Sequence, residues 1–271
     1  MPTKYVEVKG YATYVFHAGQ TTLPEVPPDL SRGRKIVLIH GAGGNGHRWM
    51  RLLNSLSKSH SPIALDLPGH GRSSGVEGLS SIPDYSEFIV AFLDTIKIKS
   101  AVIAGWSMGG AIAMDLAIRF PERVDALVLV ATAAKFNIPD DRVADLRAIT
   151  MGRKPPQYTT DGYSPRTIKE NFDIIREGWM EQAKTDPRVR YTDIVACTQV
   201  NLTEAIQKID KPTLVVAGAD DQGTTVKDAE LIKNRIRGAQ LQVISDAGHI
   251  IPCEKPAALT GAVESFLAGL R

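Results

Sequence analysis

Cysteine is nearly absent: Cys197 and Cys253 are the only two in 271 residues. Far apart and in no ligand-like spacing, they argue against a disulfide scaffold or a thiolate metal centre and favour a reducing compartment. An excess of one charge is missing too, since 32 Lys and Arg face 30 Asp and Glu for a formal net charge of +2. Without a basic cluster to track phosphates, a nucleic-acid partner is not expected. No apolar run approaches the roughly 18 residues of a membrane span. The N-terminal MPTKYVEVKG has no apolar stretch of signal-peptide length, so a cytoplasmic location is the expectation. The glycine-rich 41–46, GAGGNG, lacks both the Gly-Lys-Ser/Thr ending of a phosphate loop and the GxGxxG spacing of a dinucleotide site.

What the chain does have is alternation. YVEV (5–8) and YATYVF (11–16) alternate polar and apolar residues like half-exposed antiparallel strands, and 20–34, with three prolines, reads as a polar loop. KIVLIH (35–40), SPIALDL (61–67), AVIAG (101–105) and ALVLVA (126–131) are short continuous apolar runs, as buried parallel strands are. Between them 48–56, 84–97 and 107–119 have helical spacing; in the second, Tyr85, Phe88, Ile89, Phe92, Leu93 and Ile96 share one face. Strands return at 213–218 and 241–245, with helices at about 226–237 and 255–270. This order predicts an α/β fold with a parallel sheet covered on both sides by helices. The rhythm breaks over 134–202, where prolines and helical patches such as 167–183 replace strands, which marks an α-rich insertion. It holds 11 Lys and Arg against 10 Asp and Glu, so it is not a basic arm.

The chemistry gathers at the carboxyl ends of the strands. Gly105-Trp106-Ser107-Met108-Gly109 fits G-x-S-x-G between a strand and a helix, where a serine stands on a strained turn and its flanking glycines let the turn close. A serine hydroxyl needs a base. Of six histidines, His249 follows the late strand LQVIS, whereas His40 and His70 sit in early glycine-rich turns that they are expected to brace. The base needs an acid, and Asp221, with Asp220 as second choice, ends the strand TLVVAG. The order Ser107, Asp221, His249 is that of a serine-elbow hydrolase. For the oxyanion, the amides of Met108 and Ala42 are the candidates, with Gly43 after Ala42. Gly43, Trp179 and Ile250 are candidate substrate contacts; Trp106 has no role in this chemistry beyond packing. Neither metal nor cofactor is called for.

Together HGAGG (40–44), DLPGHGRS (66–73), GWSMGG (105–110), GADD (218–221) and AGHIIPCEKP (247–256) resemble the α/β-hydrolase superfamily in sequence and in order. The resemblance implies an eight-stranded, mostly parallel sheet built from 1–133 and 203–271, with 134–202 as a helical cap. It maps Ser107, Asp221 and His249 onto the family's triad, and Ala42 and Met108 onto its oxyanion hole. A serine nucleophile differs from the aspartate of dehalogenases and epoxide hydrolases. Trp106, and an oxyanion loop without proline, differ from the carbon–carbon hydrolases. GWSMGG is similar to small carboxylesterases. The expected activity is hydrolysis of small-molecule carboxylic esters with small to medium acyl chains, through an acyl-enzyme. The alternatives are a carbon–carbon hydrolase, lactonase or thioesterase on the same residues, or a low-turnover ligand-binding protein of the same fold.

Overall fold

The apolar runs become the strands of one sheet because their backbones pair while both side-chain faces are covered. In the computed structural model, which describes residues 2–19 and 28–270, eight strands form a single sheet. They are β1 (Thr3–Val8), β2 (Tyr11–His17), β3 (Lys35–Ile39), β4 (Ser61–Leu65), β5 (Ala101–Trp106), β6 (Val124–Val130), β7 (Thr213–Gly218) and β8 (Gln240–Ile244). Their order is β1-β2-β4-β3-β5-β6-β7-β8, and β2 alone runs against its neighbours. Most of the loop expected over 20–34 lies outside the described residues.

Alternate residues of each central strand feed two apolar layers. Val37, Ile39, Ile103, Leu127 and Val215 point to one side, against Phe88 and Phe92 of α2 (Ile82–Thr95), Ile112 of α3 (Met108–Arg119) and Ile232 of α8 (Val226–Arg235). Ile36, Leu38, Val102, Val128 and Val216 point to the other, against Leu52 and Leu53 of α1 (Met50–Leu56) and Val263 and Phe266 of α10 (Pro256–Gly269). At about 25 cal/mol per Å2 of apolar surface removed from water, these layers are the main favourable contribution to folding. The helical face expected over 84–97 is present, with all six of its residues buried.

Between β6 and β7 the chain forms α4 (Asp140–Thr150), α5 (Pro165–Glu170), α6 (Phe172–Gln182) and α7 (Pro187–Gln199). An isolated antiparallel bridge, Lys135 to Asn201, closes the neck of this excursion. The helical stretch read over 167–183 is two helices, broken where Asn171 leaves helical geometry (φ −138°, ψ 50°). The helix expected over 255–270 is α10, and a short α9 (Ile251–Glu254) precedes it, the two separated where Lys255, before Pro256, leaves helical geometry (φ −133°, ψ 52°). Among the described residues, no helix is long and apolar enough to cross a membrane.

Candidate active site

β5 delivers Ser107 to the carboxyl edge of the sheet at φ 56° and ψ −121°, a conformation that L-residues rarely adopt. The surroundings hold it there. The Ser107 N–H donates to the Val130 carbonyl at 3.0 Å, and Thr132 Oγ1 donates to the Ser107 carbonyl at 2.7 Å. The two glycines are sterically required: a Cβ on Gly105 would lie 2.0 Å from the Gly109 carbonyl oxygen, and one on Gly109 2.3 Å from that of Ile39.

The structure brings Ser107, His249 and Asp221 together. Ser107 Oγ is 2.9 Å from His249 Nε2, and His249 Nδ1 is 2.8 Å from Asp221 Oδ2. With a carboxylate accepting from Nδ1, Nε2 is left to accept the serine proton. Asp221 is fully buried, whereas Asp220 is half-buried and makes no contact with His249. Burial alone would raise the Asp221 pKa; the hydrogen bond and charge of His249, with bonds from Thr224, outweigh it and hold the carboxyl below its ordinary value. Thr224 carries no signature in the sequence and has a definite place here. Its hydroxyl donates to Asp221 Oδ2 at 2.7 Å, while the N–H groups of Gly223 and Thr224 take Oδ1 at 2.8 and 3.0 Å.

The loop carrying His249 is fastened from three directions. Trp106 Nε1 donates to the His249 carbonyl at 2.8 Å, which gives this tryptophan a function that packing alone does not. The His249 N–H donates to the Gly162 carbonyl at 2.6 Å. Buried Glu254 accepts from the N–H groups on either side, Gly248 at 3.1 Å and Ile250 at 3.2 Å. Its other oxygen accepts from Ser164 N–H and Thr167 Oγ1, both at 2.8 Å. Glu254 thereby joins the histidine loop to the start of α5.

Opposite Ser107 lies the loop after β3. A Cβ on Gly41 would stand 2.9 Å from Ser107 Cβ, so this backbone approaches the serine as closely as glycine permits. The amides of Ala42 and Met108 donate to no acceptor among the described residues. Gly43 differs: its N–H is taken by Asp193 Oδ2 at 2.8 Å, so of these two oxyanion candidates in the loop Ala42 is the one left without an acceptor among the described residues. Asp193, fully buried on α7, also accepts from His70 Nε2 at 2.7 Å and from the Tyr85 hydroxyl at 2.5 Å. His70 Nδ1 faces the Pro68 carbonyl at 3.0 Å, so both ring nitrogens meet acceptors and the ring suits the imidazolium form. Burial works against that charge, but the Asp193 carboxylate prevails and the His70 pKa is raised. His40, with ring centroids 4.7 Å apart, is its opposite. Burial, then the charge of His70, holds its pKa well below the ordinary value, and its Nε2 accepts the Leu67 N–H at 3.1 Å.

Ile250 adjoins His249 and packs against the apolar layer that the sheet forms with α1 and α10. Trp179 lies on α6. Its ring meets Phe172 at 5.5 Å and Tyr158 at 6.4 Å, its Nε1 donates to the Thr159 carbonyl, and it does not line the cavity that Gly43 borders. That cavity, about 410 Å3, lies between the Gly43 backbone, α4, the 156–161 segment and the start of α7.

Known proteins resemble this chain in sequence and in fold. A family model described as the Alpha/beta hydrolase family matches residues 36–262. The chain is 29% identical to 3-oxoadipate enol-lactonase 2 of Acinetobacter baylyi, over 86% of this chain and 88% of that one. It is 28% identical to a pimeloyl-[acyl-carrier protein] methyl ester esterase of Neisseria meningitidis, over 88% and 78%. Among solved structures, the enol-lactonase of Burkholderia xenovorans superposes with a TM-score of 0.82 at 25% identity, covering 97% of this chain and 99% of that one. The chain belongs to the alpha/beta hydrolase family.

Proposed function

We propose that this enzyme hydrolyses carboxylic esters through an acyl-enzyme on Ser107. The observation that carries the reading is the unbroken line from Asp221 Oδ2 through His249 to Ser107 Oγ, at 2.8 and 2.9 Å, beside two unused backbone amides. Ser107 Oγ attacks the carbonyl carbon while His249 Nε2 takes its proton. The amides of Ala42 and Met108 receive the developing oxyanion, Met108 at the positive end of the α3 dipole. His249 then returns the proton to the leaving alkoxide, and Asp221 stabilises the imidazolium in between. Water, activated by the same ring, releases the acid.

Helices α4 to α7 act in this reading as a cap, and the cavity bordered by α4, the end of α6 and the start of α7, which meets the site at Gly43 beside Ala42, takes the acyl group. A volume of about 410 Å3 is at the small end for ligand sites and suits small to medium acyl groups. Lactones form a second reading: relatives at 29% identity and at a TM-score of 0.82 are enol-lactonases, and a lactone uses the same steps with the leaving oxygen tethered. Initial rates on p-nitrophenyl esters of graded chain length, beside five- and six-membered lactones, test both. The reading expects turnover of at least one class by the wild type, abolished in Ser107→Ala. Turnover that survives in Ser107→Ala would overturn it.

A further inference from the structure

Arg190 stands one helical turn before Asp193 on α7, and the two grip Gly43 from different sides. Asp193 takes the Gly43 N–H, while the Arg190 stem lies over its Cα, so that a Cβ there would be 2.8 Å from Arg190 Cγ and 3.1 Å from Cδ. At φ +63°, Gly43 already has a backbone that disfavours a side chain. From this anchored stem the arginine borders the 410 Å3 cavity.

Among the described residues, Arg190 makes no hydrogen bond and no ion pair. Its surroundings offer no compensation. Burial first, then the charges of Arg142 and Arg48, lower its pKa, and no carboxylate acts in the opposite sense. Three carboxylates do border the same cavity, but each is engaged or at the rim. Asp145 pairs with Lys154 at 2.5 Å, Asp141 accepts the Arg142 N–H at 2.7 Å and is exposed, and Asp161 is exposed. Arg190 is half-buried, and a guanidinium partly withdrawn from water whose five donors meet no partner among the described residues is costly to hold. A ligand carboxylate, which matches the guanidinium fork with two parallel bonds, would remove that cost.

We propose that Arg190 is a specificity-determining residue that binds a carboxylate carried by the substrate in addition to its scissile ester. The substrate class is therefore half-esters of dicarboxylic acids, or lactones bearing a free acid. This rests on the ester-hydrolase reading above. Arg142, exposed on α4 at the cavity's other wall, adds positive potential but is not held in place as Arg190 is.

The test compares methyl half-esters from succinic to suberic acid with the matching methyl ester amides, which keep the shape and lose the charge. A second matched pair places the acid in the alcohol portion, as acetyl esters of hydroxy acids and their amides. The wild type should favour the acid in at least one series by about 10- to 100-fold in kcat/KM, the worth of a hydrogen bond to a charged group, chiefly through KM. In Arg190→Met, which keeps an apolar stem on Gly43, that preference should fall to near parity; in Arg190→Lys it should be intermediate. An acid-to-amide ratio that is unchanged in Arg190→Met, or a wild type that favours the amides, overturns the proposal. Fluorophosphonate labelling of Ser107 in the same preparations reports the ester-hydrolase reading separately. Free dicarboxylates read the anion site without turnover. They should raise the wild-type melting temperature in a concentration-dependent way that their diamides do not reproduce and Arg190→Met lacks. Equal shifts in wild type and variant overturn the proposal as well.

Discussion

Asp193→Asn changes two atoms' chemistry and almost no volume, in a group whose exposure is zero. In the wild type the Asp193 carboxylate receives the Gly43 N–H, the His70 ring and the Tyr85 hydroxyl. The amide keeps one acceptor oxygen but turns an NH2 toward a donor, and removes the counter-charge of a buried imidazolium. Breaking a buried ion pair by removing one partner costs about 3–5 kcal/mol. His70 can escape part of this by losing its proton, so the lower end, about 3 kcal/mol, is expected. For a chain of this size that is a fall of roughly 6–12 °C in melting temperature. The pH dependence is the sharper readout. Because the folded-state pKa of His70 is raised, its contribution is complete below the unfolded value of about 6.5 and is lost as pH rises through the folded value. Asp66, the other carboxylate acting on His70, remains in the variant, and His40, held neutral, does not substitute. Urea unfolding followed by tryptophan fluorescence between about pH 5.5 and 8.5 should show the wild-type advantage growing as the solution is acidified. A difference that is flat with pH, or below about 1 kcal/mol, would show that the pair carries no charge interaction.

Three further substitutions address the site itself. Trp106→Phe keeps the ring and loses the donor to the His249 carbonyl; about 1 kcal/mol of positioning, or roughly fivefold in kcat, should go with it, and steady-state kinetics on any accepted ester will show whether KM stays constant. Thr224→Val removes one of the donors that hold the Asp221 carboxyl low. Since that depression stabilises the fold above the ordinary carboxyl range and is lost as pH falls through the folded value, acid unfolding should begin at a higher pH, as circular dichroism will record. Gly109→Ala places a methyl 2.3 Å from the Ile39 carbonyl oxygen, and the overpacking should cost about 1–3 kcal/mol and displace the elbow. An active Gly109→Ala enzyme of wild-type melting temperature would contradict the steric account of the elbow.

The strands and the elbow were legible because local pattern dictates them: continuous apolar runs at 35–40, 101–105 and 213–218 have no other economical burial, and glycines flank Ser107 where only glycine fits. Asp221 and His249 could be placed near Ser107 because each follows a strand and so lies at one edge of the sheet. What the sequence did not reveal are partners joined only by folding. Gly43 meets Asp193 across 150 positions and Trp106 meets His249 across 143, through residue types that carry no signature. Glu254 reads as an ordinary charge at a helix end, yet it is buried and serves four donors. Trp179 shows the converse. An aromatic at helical spacing is more often packing than a ligand contact, and Trp179, a candidate substrate contact, packs against Phe172 and against Tyr158 and Thr159, which line the cavity, without lining it itself.

The nucleophile is the centre of the proposed chemistry, and it can be read directly. The folded wild type, treated with a fluorophosphonate probe and digested, should carry the label on the peptide containing Ser107. Ser107→Ala should take up none, and His249→Ala should label far more slowly because the hydroxyl has lost its base. A label found on any other residue, or one that persists in Ser107→Ala, would contradict the assignment.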